Sequence, residues 1–317
     1  MKYKEFGWND FVLEVPKDMR FASEGGSIKS GYMRLEAEDF SFEFKWEPFQ
    51  TKKTKPISEV ADGFIRELEK NQKLKISVRK KGSTHLFQHK ALFINFKSTI
   101  EERVFLWYCE ESNRIIISRF AFKSIDNTSQ RIIKRVLSSF KCHGQDAALW
   151  SVLGFSFKAP TSFQLTDRKM TVGRAYFLLL EQKATPFAER RREILFEYFS
   201  MANITFEEDY MNFDKWMEKH YFKDLKKRYR KIKFQSSTSE KVIGHKALVK
   251  EGFSISGFTT RKSSLYNNIV WYCPDSNRIY SITISTHVTR PLPLKREIDR
   301  EDFKKFVQET LSSVECH

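Results

Sequence analysis

No glycine-rich phosphate loop, HExxH, GxSxG or CxxC occurs anywhere in the 317 residues. The common local signatures of nucleotide binding, zinc proteolysis, serine hydrolysis and dithiol redox chemistry are therefore missing. Single Asp, Glu and His residues are too scattered to define an acid–base pair, which points away from an enzyme. Glycine (12) and proline (8) are scarce, which excludes a collagen-like or low-complexity chain. No apolar run approaches the ~18 residues that a membrane-spanning helix needs. The opening "MKYKEFGWND" also lacks the basic-then-apolar pattern of a secretory leader, so a cytoplasmic protein is expected.

What the chain has instead is aromatic mass and positive charge. Apolar residues make up 40%, thirty of them phenylalanine, which fits a packed globular protein with an aromatic core. The length suits two domains that each bury a core of their own. The net charge of +16 divides evenly, with 27 basic against 20 acidic residues up to Asp146 and 29 against 20 beyond it. Such a surplus suits an anionic partner or a solvated, lysine-rich surface. The densest run, "KDLKKRYRKIK", holds seven basic residues and one acidic residue. As a helix face it would offer Lys223, Lys226, Lys227, Arg228, Arg230 and Lys231 to phosphates without reading base sequence.

The chain also repeats itself. "FLWYCEESNRIIISRF" from Phe105 reappears as "IVWYCPDSNRIYSITI" from Ile269. Outward from this motif, "FVLEVP" matches "FSFKAP", "QHKAL" matches "GHKAL", and "LSSFKCH" matches "LSSVECH". The offset between copies grows steadily along the chain, as short loop insertions in the second copy would produce. One of them, "HVTRPLPLKREIDR", reads as a surface excursion. Two tandem α+β repeats, residues 1–146 and 147–317, are expected, each an antiparallel sheet flanked by helices. Alternating residues such as Phe40, Phe42 and Phe44 mark strands. "SEVADGFIRELEK", with Ser58 as N-cap, and "NFDKWMEKHYFKDLKKRYRKI" mark helices, and a further helix closes each copy.

A strand ending in "VP" or "AP", a Gly-initiated strand, a helix, a "GHKA" strand, a hairpin and a closing helix ending in "SSF" together resemble the PsbP-like superfamily. The resemblance covers both halves. It implies an antiparallel sheet flanked by helices and, since most members of that superfamily are non-enzymatic, a binding or adaptor protein that holds a macromolecular partner, more readily a protein than a nucleic acid.

In the hairpin motif, the turns "EESN" and "PDSN" place Asn113 and Asn277 where a left-handed residue is favoured. Arg114 and Arg278, which follow, read as surface residues. If residues 89–98 pair with 103–109, His89 comes opposite Cys109. The next strand then leads away over ~28 Å and the closing helix returns over ~20 Å, bringing Cys142 and His143 back to that end of the sheet. The same construction gathers His245, Cys273, Cys316 and His317. Three states remain open for these residues: free buried thiols, disulfides Cys109–Cys142 and Cys273–Cys316, or structural zinc held by two Cys and two His in each copy. His85, His220 and His287 have no counterpart in the other copy and read as ordinary surface or helix-face residues.

Overall fold

The computed structural model describes residues 1–27, 29–49, 55–73, 75–152, 154–171, 173–208, 212–229, 232–235, 237–291 and 298–316. The chain divides into two compact units, Met1–Leu153 and Gly154–His317. The boundary read from the sequence, between 146 and 147, falls at the start of the last strand of the first unit.

The first unit begins with a hairpin of β1 (Tyr3–Trp8) and β2 (Phe11–Pro16). It continues through β3 (Arg20–Gly26), β4 (Gly31–Glu36), β5 (Phe40–Pro48), α1 (Ile57–Gln72), β6 (Ser77–Leu86), β7 (His89–Lys97), β8 (Glu101–Cys109), β9 (Arg114–Phe122), α2 (Asn127–Ser139) and β10 (Ala147–Val152). The strands β3-β4-β5-β9-β8-β7-β6 form one antiparallel sheet in that order. Alternation gives the sheet two faces. Ile94, Val104, Leu106 and Ile117 meet Val60, Phe64, Ile65 and Leu68 of α1 on one face. On the other, Phe42, Phe44, Trp46 and Trp107 meet Phe11 and Phe140. α1 starts at Ile57 behind Pro56 and has no side-chain cap, so Ser58 lies inside the helix and does not cap it. Proline supplies the entry instead, with its φ already preset. α2 has a capping box between Asp126 and Ser129, which satisfies donors the first turn would otherwise strand.

The second unit runs β11 (Phe155–Pro160), β12 (Gln164–Thr171), β13 (Arg174–Thr185), β14 (Ala188–Ser200), α3 (Ala202–Glu208), α4 (Phe213–Trp216), a π-turn at Met217–Tyr221, α5 (Phe222–Arg228), β15 (Lys233–Phe234), β16 (Thr238–Val242), β17 (His245–Ser256), β18 (Thr260–Cys273), β19 (Arg278–Pro291) and α6 (Arg300–Ser312). Its sheet has the order β12-β13-β14-β19-β18-β17-β15, with β16 also paired to β17.

Two expectations are corrected here. The helix expected across residues 212–232 runs from Phe213 to Arg228 and passes through an unexpected π-turn at Met217–Tyr221. Its expected stripe, with Trp216, Met217, Tyr221 and Leu225, is buried, and the π-turn adds Phe222 to it, against Val270 and Ile279. The expected excursion at "HVTRP" is strand: β19 continues to Pro291, paired with β18 as far as Thr260. Residues 292–297 lie outside the described residues. Among the described residues, no helix is long and apolar enough to cross a membrane.

Candidate functional site

In the first unit, register, helix return and a backbone bridge converge on one point. Ala91 pairs with Trp107, which sets His89, two residues earlier, beside Cys109 at the end of the sheet. α2 returns to the same end, and the strand-like residue after it is fixed by a bridge to β2. Lys141 N–H donates to Val12 O at 2.7 Å, and Val12 N–H donates to Lys141 O at 3.1 Å. Cys142 follows immediately. Gly144 has φ +79°, a left-handed turn that suits glycine. Just before it, the adjacent Cys142 and His143 both face the cluster.

The ligand atoms of His89, Cys109, Cys142 and His143 all lie within 4.8 Å of one another. Cys142 Sγ is 3.2 Å from His89 Nε2, Cys109 Sγ is 3.2 Å from His143 Nδ1, and Cys142 Sγ is 3.4 Å from His143 Nδ1. In a tetrahedral zinc site with Zn–S near 2.3 Å and Zn–N near 2.0–2.1 Å, sulfur and nitrogen stand about 3.6 Å apart. Opening this cluster by a few tenths of an ångström reaches that geometry. The carboxylate of Glu111 stands 3.9 Å from His143 Nε2 and accepts from Cys109 Sγ at 3.7 Å, so it borders the cluster as a neighbouring negative charge.

The second unit repeats the arrangement with its own residues. His245, Cys273 and Cys316 bring their ligand atoms within 4.8 Å of each other, and Cys316 Sγ is 3.4 Å from His245 Nε2. Cys316 follows a bridge between Ser156 and Glu315, with both N–H···O distances 2.8 Å. His317, the remaining residue expected here, lies outside the described residues.

The disulfides considered from the sequence are not formed. None of the four cysteines is in a disulfide and all are buried, with Cys109, Cys142 and Cys316 placing sulfur beside an imidazole nitrogen. The two sulfurs of the first unit are electrostatically unlike. A hydrogen bond from Cys142, joined by Ser112 and His143, outweighs burial and draws the Cys109 thiol down to about 5. The same contact with Cys109, together with burial, pushes Cys142 up. In the second unit, burial and Cys273 raise Cys316 to about 12. The indoles of Trp107 and Trp271 are buried beside the thiols of Cys142 and Cys316 and oppose the upward push of burial on them.

Of the basic run, Lys223, Lys226, Lys227 and Arg228 are exposed. Lys227 is 3.7 Å from Asp224, and Arg228 lies 3.3 Å from the buried Glu197 and over the Tyr176 ring. Arg230 and Lys231 lie outside the described residues. Arg114 is not a surface residue. Its guanidinium covers the Phe11 ring at 5.0 Å and donates to Asn9 O at 3.1 Å. Asn113 and Asn277 have φ of 52° and 51°, the left-handed values read from the turn.

Sequence reasoning missed a polar seam in the second unit, beneath α4 and α5. Tyr221 hydrogen-bonds to Glu197, Ser281 and Asn268, and Asn268 also donates to Thr283. Nearby, His287 bonds Ser264 (2.9 Å) and Ser285 (3.1 Å), and its Nε2 is 3.8 Å from Glu193. The available signal was the run of Asn, Ser and Thr in β18 and β19 where β8 and β9 carry Val104 and Ile117. Burial raises the Glu193 carboxyl, but His287 and Arg191 outweigh it and hold it below its ordinary value. A depressed carboxylate adds stability above its unfolded value near 4.5 and loses it as pH falls further. Between pH 7 and pH 3, the wild type is expected to lose more stability than Glu193→Gln, seen as a larger fall in the melting midpoint of this unit. Parallel melting curves for the two proteins would contradict this.

The fold is thus an antiparallel α+β architecture, and the site is a buried Cys/His cluster. No family model and no curated protein matches the chain. Among solved structures, it is similar to cyanobacterial PsbP from Synechocystis, with TM-score 0.37 and 9% identity over 44% of this chain and 92% of that one. It is also similar to the immunity protein TplEi of T6SS from Pseudomonas aeruginosa. In complex with "L" peptide, TplEi gives TM-score 0.33 and 11% identity, covering 99% of this chain and 97% of its own. The apo form gives 0.31 and 9%, covering 100% and 97%.

Proposed function

We propose that the chain is a non-enzymatic binding protein made of two PsbP-like repeats, each stapled by a structural zinc ion. The observation that carries the metal reading is the convergence of four ligand atoms, two sulfurs and two imidazole nitrogens, within 4.8 Å in the first unit. Two thiolates with two imidazoles suit zinc above calcium or magnesium, which prefer oxygen. A fully ligated, buried ion has no open position for substrate, so its role is to hold the closing helix onto the sheet. The tandem reading is supported by the strand orders, which correspond from each unit's first sheet strand except that β17 pairs with two short strands, β15 and β16, where β7 pairs with β6. It is further supported by the bridges that place Cys142 and Cys316.

The binding role follows from two sheets without a catalytic constellation, and it leaves the solvent faces of the sheets to a macromolecular partner. Purified protein should contain two zinc ions per chain by elemental analysis. Cobalt substitution should give the intense visible bands of tetrahedral thiolate coordination. Thiol titration without chelator should find the four cysteines protected, and with chelator reactive. Metal-free protein with four reactive thiols and an unchanged melting midpoint after zinc addition would end this reading.

A further inference from the structure

Strands β6, β7 and β8 of the first unit carry a cationic and aromatic surface. Register sets Lys80 opposite Asn95 and Asn95 opposite Arg103. One step along the same face, Gly82 stands opposite Phe93 and Phe93 opposite Phe105. Glycine is required at 82, because a Cβ there would meet the Phe93 ring at 2.9 Å. The ring therefore lies down over the neighbouring strand. Phe93 and Phe105 are both partly exposed, and the Lys80 ammonium lies 5.7 Å from the Phe93 centroid.

Two adjoining depressions of about 450 and 490 Å³ share Arg103 and Gln130 and join this surface to the solvent side of α2. Arg79, Lys80 and Lys123 line the first, and Arg131 and Lys134 line the second. Of these cations Arg79 is paired with Glu101 at 2.9 Å and Lys123 with Asp39 at 2.8 Å, and Glu102 is engaged by Arg119. Lys80, Arg103, Arg131 and Lys134 supply the positive charge of the groove.

We infer that this groove binds single-stranded nucleic acid, its cations meeting phosphodiesters while the partly exposed Phe93 and Phe105, beside it on the sheet, stack with bases. Partly exposed rings beside cations suit unpaired bases, which can leave their own stack, whereas a duplex offers this surface only its phosphates. A concave surface suits a strand better than a planar bilayer. This inference names the partner of the proposed binding protein and does not depend on the metal.

The test uses zinc-replete full chain and a fluorescein-labelled 20-nucleotide single strand, read by fluorescence anisotropy. The same sequence as a duplex and vesicles containing phosphatidylserine serve as competitors. With about four phosphate contacts, affinity should fall on the order of 50-fold between 50 and 200 mM salt. Arg103→Glu with Arg131→Glu should weaken binding at least tenfold and flatten the salt dependence. Phe105→Leu should weaken it about fivefold or more at constant salt slope. Lys226→Glu with Lys227→Glu, on α5, should bind as wild type. Unchanged zinc content and melting midpoint show that each variant is folded, and separate failure here from failure of the metal reading. Absence of strand binding, equal affinity for duplex with no effect of Phe105→Leu, stronger competition by vesicles, or equal loss in the α5 variant would each overturn the proposal.

Discussion

Replacing Cys142 with serine is expected to lower the zinc content from two ions per chain to one and to soften the first unit alone. The expected size follows from mass action. An ion present at about a thousand times its dissociation constant adds about 4 kcal/mol to the folded state. In a domain of this size each kcal/mol moves the melting midpoint by about 2–4 °C, so the first unit should melt about 8–16 °C earlier. Cys316→Ser should produce the matching loss in the second unit, leaving the first unit's transition in place. Chelator added to wild type should reproduce both losses together, and chelator added to either variant should remove only the remaining one. A serine variant that keeps two ions, or loses one without any change in melting, would contradict the stapling role. Cys142→Ala in zinc-free buffer supplies the comparison that separates metal loss from packing loss, since the thiol is 1% exposed and fills space in either state.

A second large effect is expected inside the first sheet. Glu102 is 1% exposed and is bonded by Arg119 and by the Ser98 hydroxyl at 2.8 Å. Removing only the guanidinium, as in Arg119→Met, leaves a buried carboxylate with a single neutral donor. The expected destabilisation is about 3–5 kcal/mol, measured by urea titration of the first unit's transition. Burying a charge is expensive because water is lost, and the partner's attraction is what offsets it. The double variant Glu102→Leu with Arg119→Met should therefore recover most of the loss, for two apolar side chains need no compensation. A double variant as weak as the single one would show that the pair acts through packing and not through charge.

The legibility of this protein in its sequence differed by the kind of interaction. Strands and closing helices follow from local alternation and periodicity, so Phe42 and Phe44, or Ile132, Ile133 and Val136, could be placed from spacing alone. The approach of His89 to Cys109 was also legible, since hairpin register is arithmetic about the turn. The π-turn at Met217–Tyr221 was not, because a single inserted residue in a helix changes no composition and little periodicity. Arg114 looked exposed because an arginine after a turn usually is. Only the arrival of Phe11, a hundred residues earlier, supplies the ring that covers it.

The sequence by itself determined the repeated order of elements and the gathering of cysteine with histidine at one sheet end, because both depend on short-range geometry carried from turn to strand to helix. Tertiary structure decided what those groups became. It set sulfur beside imidazole and left the cysteines unbridged, covered the Phe11 ring with Arg114, and assembled the Tyr221, Asn268 and Ser281 seam from segments far apart in the chain. These outcomes depend on which side chains meet across elements, where burial and charge act over a few ångströms and sequence distance has no bearing.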